Sequence, residues 1–117
     1  MRRPLFVLSV LLSFSATGHA EEDNNSGMFW QPKCKALLNG APSPNKLTVA
    51  CGGMIMALKG LGSYLEPPLR TCIPEDATIL QMARVITKAI DEHPEQINRQ
   101  FLELAIEAMQ NAWPCQK

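Results

Sequence analysis

The chain has 117 residues, eleven basic and eleven acidic, with four cysteines and two histidines. That length bounds one domain whose core is only marginally large, so covalent cross-links would help it. The even charge balance lacks the basic clusters that nucleic acid or an anionic membrane surface would demand, so neither partner is expected.

In chain order, residues 1–20 (MRRPLFVLSVLLSFSATGHA) read as a cleaved secretory signal peptide. Arg2 and Arg3 lead, Leu5 to Leu12 form the apolar run, and Gly18-His19-Ala20 is the small-x-small cleavage site. The apolar run falls short of the roughly 20 residues a membrane span needs. Export to the periplasm without membrane insertion is therefore expected, with cleavage after Ala20. The leader removes two basic residues and one of the two histidines, leaving nine basic against eleven acidic side chains. Residues 21–27, EEDNNSG, read as a flexible acidic tail, and 28–117 as the folded domain.

Apolar residues then recur at helical rather than alternating spacing. A short first helix is expected with Pro32 at its first position and Gly40 at its end. Met28, Phe29 and Trp30 would precede it and pack beneath the other helices. The segment GAPSPNK at 40–46 is a turn. The second helix should run from about Leu47 to Leu61, its stripe being Leu47, Ala50, Cys51, Met54, Ile55 and Leu58. Val49 and Met56 make its other faces apolar as well, which predicts the central, most buried helix. Gly52 and Gly53 would then permit close approach of a neighbouring helix.

Residues 62–77, GSYLEPPLRTCIPEDA, form the longest connection, tied down by Cys72. A long connection of this kind is a candidate binding surface, and Tyr64, Glu66 and Arg70 are its candidate partner-contacting residues. The competing reading is a plain linker with Tyr64 packed inward. The third helix opens on Thr78-x-x-Gln81, a capping box, and shows Ile79, Met82, Ala83, Ile86 and Ile90 on one face. A fourth helix is expected from Pro94, with the stripe Ile97, Phe101, Leu104, Ala105, Ala108 and Ala112, ending at Pro114. Glu95 and Arg99 are spaced to pair on its outer side.

His93 is the histidine that remains after the leader. The proline that follows it disfavours helical geometry, so His93 and Pro94 read as the structural joint between the third and fourth helices. A metal site would need further ligands, and a nucleophile would need an adjacent base and a supporting motif. Neither is present in the sequence, so no enzyme, no metal and no cofactor is expected. Cys34, Cys51, Cys72 and Cys115 contain no C-x-x-C pair, which favours two disulfides over metal or redox chemistry. The fold class is therefore all-α, a small four-helix (or four to five helix) domain stapled by two disulfides.

The ordered landmarks C-G-G-M-I-M-A at 51–57, C-I-P at 72–74, T-I-L-Q at 78–81, H-P-E at 93–95 and A-W-P-C at 112–115 carry a resemblance. Together they resemble the Rap/Tai family of small periplasmic immunity proteins of bacterial type VI secretion systems, over about residues 34–115. The chain departs from the family pattern at Met54, Ala57 and Trp113, where Tyr, Gly and Phe are usual. The resemblance implies an all-helical, disulfide-linked periplasmic inhibitor that occludes the active site of a cognate peptidoglycan amidase effector. It also implies that such proteins are often homodimers. A small periplasmic helical stress chaperone is the alternative function, though that class typically carries a single disulfide.

Four cysteines allow three pairings. The expected helix order favours Cys34–Cys51, across the first turn, and Cys72–Cys115, at the adjoining ends of the third and fourth helices.

Overall fold

A computed structural model describes residues 24–40 and 45–116. The expected signal peptide, the acidic residues 21–23 and most of the turn at 40–46 lie outside the described residues. The elements in order are α1 (Gly27–Leu38), α2 (Lys46–Leu61), α3 (Ile79–Glu92) and α4 (Phe101–Ala112), with 3-10 turns at Gly62–Tyr64 and Pro94–Gln96. Among the described residues there is no strand, only an isolated bridge between Ser26 and Gln100.

α1 begins earlier than Pro32 suggests. The Ser26 hydroxyl accepts the Phe29 N–H at 3.2 Å and caps the helix, so Met28, Phe29 and Trp30 are helical and Pro32 lies inside. The missing proline donor is tolerated because Pro32 and Met28, whose carbonyl it would have met, are both exposed. Gly40 follows the helix at φ 62°, the left-handed conformation expected of a residue just past a helix end. The expected tail boundary also shifts. Gly27 N–H donates to the Arg99 carbonyl, Met28 N–H to the Ile97 carbonyl, and Phe101 N–H to the Asn25 carbonyl. Residues 24–27 are thus part of the fold. Gly27 is required there, since a Cβ would stand 2.7 Å from Leu104 Cδ1 and 2.9 Å from the Ile97 carbonyl oxygen.

The same pairing moves the start of α4. Pro94–Gln96 form a 3-10 turn, and the carbonyls of Ile97 and Arg99 face the start of α1 rather than continuing a helix. α4 therefore begins at Phe101 and not at Pro94. Its buried face is Phe101, Leu104, Ala105, Ala108 and Met109, with Ala112 exposed and Ile97 half-buried before it. Glu95 and Arg99 do not pair. Arg99 instead donates two hydrogen bonds to Glu107, at 2.6 and 2.9 Å, and Glu95 lies 3.3 Å from His93 Nδ1.

α3, not α2, is the central helix. It packs against all three others and buries Met82, Ala83, Ile86, Thr87 and Ile90. Its N-terminus is capped as expected, Thr78 Oγ1 accepting the Gln81 N–H at 3.0 Å. Fully burying side chains such as Phe101, Ile55, Met82, Ile86 and Met109 contributes about 1.5–3 kcal/mol each. α2 is an edge helix. It buries Thr48, Cys51 and Ile55, while Leu47, Val49, Met56 and Leu61 are exposed. Gly52 and Gly53 do not mediate a close helix contact. A Cβ at Gly53 would meet nothing within 4 Å, and one at Gly52 would make ordinary contact with Leu37.

Both disulfides join the expected partners, Cys34 to Cys51 and Cys72 to Cys115, with Cα separations of 5.5 and 5.1 Å. The first locks α1 to α2 inside the core, where both residues are fully buried. The second ties the connection before α3 to the tail after α4, which makes those two helices antiparallel.

Candidate partner-binding surfaces

The connection between α2 and α3 is an anchored ridge. Gly62 at its root allows Thr71 to pack directly against it, for a Cβ there would overlap Thr71 Oγ1. Thr71 N–H donates to the Gly62 carbonyl at 3.0 Å, and Thr71 is 1% exposed. Between these two residues the chain turns outward. Gln110 on α4 donates from Nε2 to the carbonyls of Pro68 and Arg70, both at 3.0 Å. Lys59 holds the far end through the Glu75 and Ala77 carbonyls at 2.7 Å each. Beside the ridge, the Cys72–Cys115 disulfide provides a covalent tie.

What this scaffold displays is apolar and aromatic surface. Tyr64 is 85% exposed, Leu61 61% and Leu69 50%. Glu66 and Arg70 are also exposed, and Arg70 Nε donates to the Leu65 carbonyl at 3.2 Å, which limits its swing. The inward-packed alternative for Tyr64 is therefore excluded. The structure brings Tyr64, Glu66 and Arg70 onto one short segment. Its local hydrogen bonds, from Leu69 to the Glu66 carbonyl and from Arg70 to the Pro67 carbonyl, keep that segment turned.

The outer face of α2 continues from the root of this ridge. Val49, Gly53, Met56 and Gly60 fall on one line of the helix, and Val49 and Met56 are 57% and 62% exposed. Sequence reasoning missed this surface because an all-round apolar helix reads as buried. The helix carries no carboxylate, and from Val49 to Gly60 this line is apolar and exposed, with the exposed Lys46 at its N-terminal end.

His93 and Pro94 lie at the opposite end of α3. The His93 N–H donates to the Ile90 carbonyl, and its own carbonyl accepts from the Gln96 N–H at 2.9 Å. Its backbone closes α3 and opens the 3-10 turn, while its side chain makes no capping bond. The ring stands at the end of a groove of about 510 Å³ between α3 and α4, floored by Val85, Ala89 and Ala108 and edged by Glu92 and Glu107. Two carboxyls near this end are held below their ordinary values, Asp91 by the hydrogen bond from Lys35 and Glu107 by that from Arg99. Both are tied to basic partners, so neither is poised for proton transfer. Among the described residues no group of three or more His, Cys, Asp or Glu side chains is placed to hold a metal ion.

A family model described as Rap1a immunity proteins matches residues 26–115, which spans all four helices and both disulfides. No curated protein and no solved structure matches the chain.

Proposed function

From the premise that the chain belongs to the Rap1a immunity protein family, we propose that it binds a cognate secreted peptidoglycan amidase and occludes its active site. Immunity proteins of this kind protect by binding a toxin, and they are generally not enzymes. The two disulfides and the family together indicate an extracytoplasmic protein. Within that setting we assign it to the periplasm of a producing cell equipped with type VI secretion, where the amidase would reach its substrate.

The observation that carries the reading is the ridge of Tyr64, Glu66 and Arg70. An exposed aromatic and an exposed arginine on a cross-linked, hydrogen-bonded segment are the residue types that anchor protein interfaces, and a preorganised segment loses little entropy on binding. Blocking a cleft requires such a protrusion and no reaction chemistry. The apolar stretch of the outer face of α2 from Val49 to Gly60 suits a second copy of the chain, with Lys46 left at its end where it need not be buried. A homodimer through Val49 and Met56 is therefore part of the proposal.

The test is a titration against peptidoglycan amidase effectors, the cognate one being the amidase that the wild-type protein binds in a stoichiometric complex. Replacing Tyr64, Glu66 and Arg70 together with alanine should weaken binding by at least ~2 kcal/mol while leaving the helical signal unchanged. Unchanged affinity would move the contact to the turn at 91–95. Indiscriminate holding of unfolded clients, without a stoichiometric complex, would support the chaperone alternative instead. Met56→Glu should convert a dimer to a monomer in light scattering. A wild-type protein that is already monomeric would remove the dimer.

A further inference from the structure

The two disulfides occupy opposite chemical settings. Cys34 and Cys51 are 0% exposed, sealed between α1 and α2. Cys72 is exposed and Cys115 half-buried. Cys115 also lines a surface groove of about 280 Å³ together with Pro67, Arg70, Gln110 and Pro114. A thiolate can therefore reach one pair from solvent and not the other. Access is a first requirement for thiol–disulfide exchange, and a nearby cation favours both the attacking and the departing thiolate. Arg70 supplies that cation. Arg70 lines the same groove, with its Nε on the Leu65 carbonyl and its backbone carbonyl 3.9 Å from Cys115 Sγ.

We propose that Cys72–Cys115 is a thiol-exchange site, opened by thiol reductants that attack Cys115 Sγ through this groove while Cys34–Cys51 stays intact. The incoming thiolate bonds to Cys115 Sγ, the Sγ–Sγ bond breaks, and Cys72 leaves as a thiolate that takes a proton from water. A second thiol of the reductant, as its thiolate, then attacks the reductant sulfur of the mixed disulfide. This releases Cys115 as a thiol and leaves the reductant as a disulfide. Two electrons pass from the two reductant thiols to the cystine.

Opening this tie leaves other restraints in place. Gln110 still holds the Pro68 and Arg70 carbonyls, Thr71 stays buried on Gly62, and the sealed Cys34–Cys51 bond still joins α1 to α2. The bundle persists, while the tail after α4 separates from the connection that displays Tyr64 and Arg70. The site would thus let the redox state of the compartment loosen the exposed ridge. The exchange itself is measured without any partner, so its outcome is independent of the toxin-binding proposal.

The experiment exposes the oxidised protein to 2-mercaptoethanesulfonate or cysteamine at neutral pH. Acid quenching, alkylation and peptide mapping follow, with rates normalised to a small unstructured disulfide. Cys72 and Cys115 should be labelled at least tenfold faster than Cys34 and Cys51. The anionic thiol should outpace the cationic one, and Arg70→Gln should cut that preference at least threefold. Equal labelling of both pairs, or a preference untouched by Arg70→Gln, would overturn the assignment. A doubly substituted Cys72→Ser, Cys115→Ser protein should retain its helical circular dichroism and its Cys34–Cys51 bond. Loss of either would show that opening the pair unfolds the bundle, which also refutes the proposal.

Discussion

Gly62→Ala separates local propensity from tertiary packing by the sign of its effect. Gly62 sits at φ −58° and ψ −35°, an ordinary right-handed helical conformation. On propensity alone, alanine there should stabilise the chain by up to about 1 kcal/mol. The structure predicts the reverse. The added Cβ would overlap Thr71 Oγ1 and stand 3.2 Å from Thr71 Cβ. Thr71 cannot swing away, because it is 1% exposed and its N–H is held by the Gly62 carbonyl. Overpacking of this kind typically costs about 1–3 kcal/mol, which outweighs the propensity gain. We expect a net loss of about 1 kcal/mol, or a fall of roughly 4–8 °C in melting temperature for a domain of this size. Thermal melts followed by circular dichroism would measure it. Adding Thr71→Ala should recover much of the loss, since that change removes the clashing hydroxyl, an atom that is buried without a hydrogen-bond partner. Gly53→Ala is the internal control, because its Cβ would enter open space. It should raise stability by about 0.5–1 kcal/mol. A rise in melting temperature for Gly62→Ala, matching that of Gly53→Ala, would refute the packing argument.

Three further outcomes are expected. Asp91 and Glu107 have carboxyl pKa values depressed by Lys35 and Arg99 respectively, so their ion pairs contribute fully above the unfolded carboxylate pKa and are lost as pH falls through the folded value. The melting temperature should therefore decline below about pH 4, and Asp91→Asn with Glu107→Gln should flatten that decline. Gln110→Ala removes both side-chain bonds to the ridge and should speed amide hydrogen exchange across 62–71 without changing the helical signal. His93→Asn should leave the melting temperature nearly unchanged, whereas Pro94→Gly should lower stability by about 1 kcal/mol through a looser unfolded chain. A large loss of partner binding in a folded His93→Asn protein would give the exposed ring a role beyond the joint.

Local chemistry made much of the bundle legible from the residues alone. Thr78 and Gln81 announced the start of α3 because a cap hydrogen bond spans only three residues. Gly40 announced the end of α1 because a residue in the left-handed conformation there favours glycine. The cysteine pairing also followed from helix order, since Cys34 lies late in α1 and Cys51 in the first half of α2, while Cys72 precedes α3 and Cys115 follows α4. Tertiary contacts decided what local rules could not. Pro94 signals a helix start, yet the carbonyls of Ile97 and Arg99 bond across to Met28 and Gly27, so α4 waits until Phe101. Pro32 signals another, yet Ser26 caps earlier, where the start of α1 meets that same strand-like segment. The apolar faces of α2 read as buried because hydropathy records what a residue can pack against, not whether a neighbour is there. The ridge was legible as a long connection, but only the fold showed Tyr64 facing out. Whether a side chain on that connection is buried depends on Thr71 folding back onto Gly62 within it, and on Gln110 and Cys115, which meet it from distant positions in the chain.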